Sequence, residues 1–308
     1  MAELKNRLAG WGDRRWRLLV GLATVFITGA ILVWIIYRQR DLLLSYDWQI
    51  RPGYLLLSFG VYSINLWVVA AIWGSILNTL GGRLSLRKHF IYFVLSNAAK
   101  RLPGTVWYIA SRAQLYHGEG VPVKTTSLAS GIEFVINILT SVLISLIFTL
   151  RLVMEYRYGL IGVLIVLVVI ILILQPAFIY RLLDRFAAGS HSFSYLKLLG
   201  WIGAYTIAWL MAGLVLFLIA NAFTEFGIEH LGYLIGSLGL VNVITSALFF
   251  APSNLGITEL GLSLLLSRVM PASVAVVYVI LVRILMILYD IGWAGISLWV
   301  MRGWRSSD

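Results

Sequence analysis

Six stretches of this chain are apolar over 20 residues or more: 18–37, 54–80, 125–150, 158–180, 198–223 and 272–301. A helix needs about 20 such residues to cross a hydrocarbon core roughly 30 Å thick. Four of the six contain no Asp, Glu, Lys or Arg. Inside lipid every backbone amide must be satisfied within the protein, and unbroken apolar runs of this length do that as helices. The expected fold class is therefore an all-α polytopic membrane protein with about six full spans. Composition agrees, at 60% hydrophobic residues and a mean hydropathy of +0.91. Trp16, Trp48, Trp201, Trp299 and Trp304 lie near run ends, where amphipathic rings favour the headgroup level.

The net charge of +11 does not point to nucleic acid. Its basic residues cluster at run ends, where positive-inside bias accounts for them. Lys5, Arg7, Arg14, Arg15 and Arg17 place the basic 1–17 segment in the cytoplasm. Arg83, Arg87 and Lys88 mark a second cytoplasmic side, Arg181, Arg185 and Lys197 a third, and Arg302 and Arg305 a fourth. The 221–230 segment carries Glu225 and Glu229 without Lys or Arg and reads as external. Arg38, Arg40 and Arg51 fit this scheme poorly, since they fall on the outer side. Both termini are expected in the cytoplasm of a bacterial or archaeal cell membrane.

There is no cysteine, hence no disulfide, thiolate metal site or Cys nucleophile. His89, His117, His191 and His230 have no metal-ligand spacing. No nucleotide loop or nucleophile elbow is present. No cofactor and no enzymatic activity are expected.

Two short polar loops break apolar sequence. One is Lys100-Arg101-Leu102-Pro103-Gly104-Thr105; the other contains Pro252, Ser253, Asn254, Gly256 and Glu259. Each sits between short helical patterns, and each precedes a span containing an ionisable residue, Glu133 or Arg283. The orientation scheme closes only if 87–116 and 231–268 re-enter rather than cross. Residues 54–150 and 198–301 then form two inverted repeats in a single membrane domain, 1–308. Paired interruptions of this kind point to a transport site.

Around the first loop, Ser85 can cap one helix and Thr105 the next. A re-entrant helix starting after Pro103 and Gly104 would aim its N–H groups at the bilayer centre beside Lys100 and Arg101, favouring an anion. The alternative is that Lys100 and Arg101 are surface charges snorkelling to headgroups. Arg112, a helical distance further, is placed to reach headgroups. Glu259 falls in the first turn after Pro252, as a helix-start residue or as a protonatable gate. Glu133 and Arg283 are expensive within spans and should face the interior. Glu133, Asn137 and Thr140/Ser141 share one helix face, as do Arg283 and Asp290. A shared hydrated cavity is one reading; a structural Glu133–Arg283 or Asp290–Arg283 pair is the other. Asn65 and Asn242 are read as packing positions.

The stretch Ser96-Asn97-Ala98-Ala99-Lys100-Arg101-Leu102-Pro103-Gly104-Thr105-Val106-Trp107, followed by Arg112, Gly118, Gly120 and Glu133, resembles the first signature of the flippase-like membrane domain family. That family includes the transmembrane region of lysylphosphatidylglycerol synthases. Pro252, Gly256, Glu259 and Arg283 are similar to its second signature, with Asn254-Leu255 where the family usually has Pro-Gly. The resemblance covers about residues 15–302. It implies a flippase or translocation facilitator for an anionic lipid, such as an aminoacylated phospholipid or a polyprenyl-phosphate carrier. It also implies an accessory role in envelope lipid or glycan assembly as an alternative, with a homo-oligomer or a glycosyltransferase or synthase as partner. A proton-coupled solute or ion transporter using Glu133 or Glu259 is a competing reading from the residues themselves.

Overall fold

A computed structural model describes residues 30, 33–38, 40–98, 106–155, 157–164, 194–247 and 256–305. Among these, the long elements are all α-helices: α1 (Arg40–Ser45), α2 (Pro52–Thr79), α3 (Leu86–Ala98), α4 (Val106–His117) and α5 (Val123–Met154). After them come α6 (Tyr195–Phe223), α7 (Leu231–Ala247), α8 (Ile257–Leu266) and α9 (Ala272–Arg305). The chain is an all-α membrane protein.

Five helical stretches are long and apolar enough to span: Pro52–Thr79, Val123–Leu150, Tyr195–Phe223, Ile228–Ser246 and Ala272–Arg302. Four coincide with runs expected from sequence. The 18–37 and 158–180 runs fall mostly outside the described residues. Ile228–Ser246 differs from expectation, because its 19 residues suffice to cross although the sequence reading has it dip and return. The first hairpin is shorter. Helices α3 and α4 hold 13 and 12 residues, about 20 Å and 18 Å at 1.5 Å per residue. Ser85 does face the α3 start, accepting from the Lys88 N–H at 3.4 Å.

The helices of one half recur in the other. Helix α3 packs on α2 and α4, and α4 packs on α5. Likewise α7 packs on α6 and α8, and α8 packs on α9. Across the halves, α7 lies on α5 and α3 lies on α9. The central pair is α2 against α6, running antiparallel. The Trp201 Nε1–H at the start of α6 donates to Ser75 Oγ near the end of α2 (2.9 Å). At the opposite end, the N–H groups of Gln49 and Arg51 donate to the carbonyls of Phe223 and Ala222. Those carbonyls end α6 and have no partner within it, so the approach to α2 satisfies them. Arg51 also reaches Glu225 at 2.7 Å, which gives this arginine a local partner.

The buried apolar residues form two clusters, and residues of both halves belong to or pack against each. One is built from Trp73, Ile76, Phe90, Phe93, Tyr116 and Trp201. The other is built from Val215, Leu234, Val241, Leu262, Tyr278 and Val279. Where α7 crosses α5, glycines allow backbone contact, as small residues do between helices in lipid. A Cβ at Gly239 would stand 2.8 Å from the Ser141 carbonyl oxygen, and one at Gly236 would stand 2.5 Å from Thr149 Cγ2.

Outside the long helices, Glu119 clamps the α4–α5 turn to α3. It accepts from Lys88 Nζ at 2.7 Å and from the Tyr92 hydroxyl. The Lys88 hydrogen bond, aided by Tyr92, holds its carboxyl below the usual carboxylate range.

Two outcomes are expected. Gly239→Leu should destabilise the fold by about 1–3 kcal/mol through overpacking, while Gly131→Ala, with open space around it, should not. Thermal unfolding in detergent reads both. Because Glu119 is depressed in the folded state, its contribution is present above the unfolded pKa and is lost as pH falls through the folded one. Glu119→Gln should therefore flatten the fall of Tm in the acid range, below about pH 5.

Candidate functional site

Two ion pairs lie inside the helical body. The first joins α4 to α5: Arg112 Nη1 donates to Glu133 Oε2 at 2.5 Å. Arg112 has no exposed surface, and Glu133 is 7% exposed. The sequence reading placed Arg112 near headgroups; instead α3 and the end of α2 cover it. Its Nε–H donates to Ser96 Oγ at 3.1 Å. Its guanidinium stacks 4.0 Å from the Trp73 ring centroid, 4.7 Å from Phe93 and 5.5 Å from Tyr108. Arginine suits this role because its delocalised, weakly hydrated charge tolerates aromatic faces better than an ammonium does. The other Glu133 oxygen accepts from the Tyr205 hydroxyl of α6 at 2.8 Å. One carboxylate thus ties α4, α5 and α6 together.

Behind Trp73 the polar groups continue in a chain. Trp73 Nε1–H donates to Tyr116 Oη at 2.8 Å, and Tyr116 Oη meets His89 Nδ1 at 2.9 Å. His89 Nε2 meets Asn78 Oδ1 at 2.9 Å, and that oxygen also accepts from the Leu84 N–H. Since Oδ1 is an acceptor, Nε2 carries the imidazole proton and Nδ1 accepts from tyrosine. Burial pushes the imidazole pKa down to about 4, so the ring is neutral at pH 7.

The second pair joins α8 to α9. Arg283 Nη1 donates to Glu259 Oε1 at 2.8 Å. Gly256 begins the helix with φ +87°, a conformation that favours glycine. Its N–H donates to Glu259 Oε2 at 2.7 Å, so the same carboxylate caps α8 and holds α9. The signs are exchanged between halves: arginine on the short helix and glutamate on the long one, then glutamate on the short helix and arginine on the long one. The second pair is more exposed, Glu259 by 11% and Arg283 by 27% of their side chains.

Both pairs border cavities. One, of about 390 Å³, has Glu133, Asn137, Tyr205, Trp209 and Asn242 in its wall. The other, of about 270 Å³, has Glu259 and Arg283 among Val215, Leu238, Val279 and Met286. Asn65 of α2 and Ala212 of α6 belong to both walls, so the cavities meet at the central helix pair.

These positions correct the alternative pairings. Glu133 bonds Arg112 rather than Arg283, and Arg283 bonds Glu259 rather than Asp290. Asp290 accepts from the Tyr62 hydroxyl on α2. Asn137 accepts from Asn242 Nδ2 at 3.2 Å, which fastens α5 to α7. Lys100, Arg101, Pro103, Gly104 and Pro252 lie outside the described residues. Sequence reasoning missed Tyr205, Ser96 and Trp73, whose roles depend on which helices meet. It read Asn65 as packing, whereas the structure sets it between two cavities. Among the described residues no group of His, Asp and Glu has the arrangement of a metal site.

A family model described as lysylphosphatidylglycerol synthase TM region matches residues 16–291. No curated protein and no solved structure matches the chain.

Arg112→Met should leave the buried Glu133 without its cation and cost about 3–5 kcal/mol, as breaking a buried pair does. Arg283→Met should cost less, since its pair is more exposed. The Arg112→Met/Glu133→Leu double variant should regain much of the single-variant loss. Unfolding midpoints of the three proteins in one detergent check the ranking.

Proposed function

The chain belongs to this family of lysylphosphatidylglycerol synthase transmembrane regions, and on that premise we propose that it moves a membrane lipid between leaflets. The observation that carries the reading is the pair of cavities meeting at Asn65 and Ala212, each with an ion pair in or behind its wall. Charges within spans are costly and mark pathways when they face a cavity. In this reading the two halves are inverted repeats, the short helices re-enter the bilayer, and both termini are cytoplasmic. A headgroup passes from one cavity to the other along the α2–α6 seam while its acyl chains stay in lipid. The role is transport rather than catalysis. An anionic phosphate is accommodated near Lys100 and Arg101, the basic residues of the first hairpin.

Glu133 and Arg112 tie the first hairpin to the long helices, and Glu259 and Arg283 do so for the second. Each pair is a joint between a short and a long helix, so movement of a hairpin would strain it. Support for a transport role thus comes from where the charges sit.

The test is translocation of tail-labelled phospholipid in reconstituted vesicles, read by chemical quenching of the outer leaflet. The protein should speed exchange over empty vesicles at least tenfold. The Arg112→Met/Glu133→Leu protein should keep its fold and lose most of that activity. A folded, fully active double variant would reduce the pair to packing. Cysteines at His117 and Met270, in a chain that otherwise has none, should label from opposite sides of the membrane; labelling from one side would remove the inverted arrangement.

A further inference from the structure

The cavity beside Glu133 has an unusual wall for an anion site. Among the described residues lining it, Glu133 is the charged one, and no lysine or arginine is present. Arg112 is committed to Glu133 and to the Trp73 face. A phosphate placed here would meet a carboxylate already paired with Arg112 behind the wall, and no further cation among the described residues of the wall itself. The rest of the polar lining is amide, hydroxyl and indole, from residues such as Asn65, Asn137, Asn242, Thr245 and Trp209.

Two of these groups are left over. Asn65 Oδ1 and Trp209 Nε1 are buried and have no hydrogen-bond partner among the described residues. Their residues stand on the two central helices, α2 and α6, and both residues line this cavity, Asn65 lining the second one as well. Buried polar atoms are nearly always paired, so an orphan acceptor and an orphan donor in one wall call for an account. A ligand that satisfies both must accept and donate. Hydroxyls do both, whereas an ammonium only donates and a phosphodiester only accepts. Glu133 can accept further hydroxyls, because Arg112 and Tyr205 leave it spare lone pairs. Aromatic rings beside amides and a carboxylate suit a ring or chain of hydroxylated carbons, whose C–H faces pack on the indole.

We propose that this cavity binds an uncharged polyol headgroup, glycerol or sugar, and that Asn65 and Trp209 select it by its hydroxyls. The proposal rests on the lipid-transport reading for its assumption that the polyol is attached to a lipid. Any phosphodiester on the same lipid lies outside this cavity, so charge is not what the cavity reads. The second cavity shares Asn65 and sets Tyr62, Thr258, Glu259 and Arg283 among valine, leucine and methionine, so its polar groups include a cation and it lacks the Trp209 indole.

The experiment places the full chain in phosphatidylcholine nanodiscs and measures retained lipid by native mass spectrometry. The probes are diglucosyldiacylglycerol, phosphatidylglycerol and phosphatidylmethanol, with free glucose and glycerol as competitors. Phosphatidylglycerol and phosphatidylmethanol carry the same charge and differ in the diol. Diglucosyldiacylglycerol and phosphatidylglycerol should both be retained over phosphatidylmethanol. Trp209→Phe keeps the ring and removes the N–H; Asn65→Leu removes the amide. Each should lower glycolipid retention about three- to tenfold, the usual worth of one neutral hydrogen bond, and leave phosphatidylmethanol unchanged. Equal retention of the two phospholipids, indifference of glycolipid binding to both variants, or no retention at all would overturn the polyol site. Lipid exchange in vesicles would still stand in those cases. Displacement of glycolipid by equimolar free glucose would keep the hydroxyl site and remove the lipid-transport reading instead.

Discussion

The fold depends most on the Arg112–Glu133 bond. An apolar interior gives helices little to choose between, since lipid tails and leucine side chains are alike in polarity. A buried charge is different, because few arrangements can satisfy it. Arg112 takes its contacts from α2, α3 and α5, and Glu133 adds α6. Five of the helices of the body are therefore placed by one pair of side chains. Desolvating two charges does not by itself stabilise the fold, but misplacing either is heavily penalised. The pair acts as a register key.

The second half repeats the device with exchanged signs and a looser fit. Glu259 serves at once as helix cap and counter-ion, which economises on polar groups where few are tolerated. Each pair is neutral whichever helix carries which sign. Two like charges facing each other across the α2–α6 seam would repel through a medium of low dielectric constant; two neutral pairs do not. The hairpins can thus approach the same central helices without an electrostatic conflict.

Much of this was legible in the sequence. The long apolar runs announced four of the five candidate spans seen here, because length and hydropathy act locally. Glu133 and Arg283 stood out for the same reason: a charge in such a run is visible without knowing its neighbours. Their partners were not legible. Arg112 lies in a 12-residue helix whose pattern, IASRAQLYH, is equally that of an interfacial helix, and only the cover supplied by α2 and α3 decides between the two. Asp290 shares a face with Arg283, yet Tyr62 is nearer because α2 packs there. Asn65 and Trp209 are single polar groups in apolar runs, and nothing in their spacing tells that two cavities abut between them. The helix over 231–247 shows the limit from the other side. Its length permits a crossing, while the topological argument favoured a dip, and those two rules weigh different facts.

The chain of hydrogen bonds behind Trp73 has a consequence for membrane energetics. It starts at an indole nitrogen, which can give a proton but not take one, and ends at an amide oxygen, which can take a hydrogen bond but does not pass a proton on. Tyr116 and the neutral His89 between them are the kind of groups from which proton wires are made. At the far end His89 and Asn78 border a cavity of about 430 Å³, while the indole closes the near end. A network closed at one end holds α2, α3 and α4 together without offering a through-path for protons along itself.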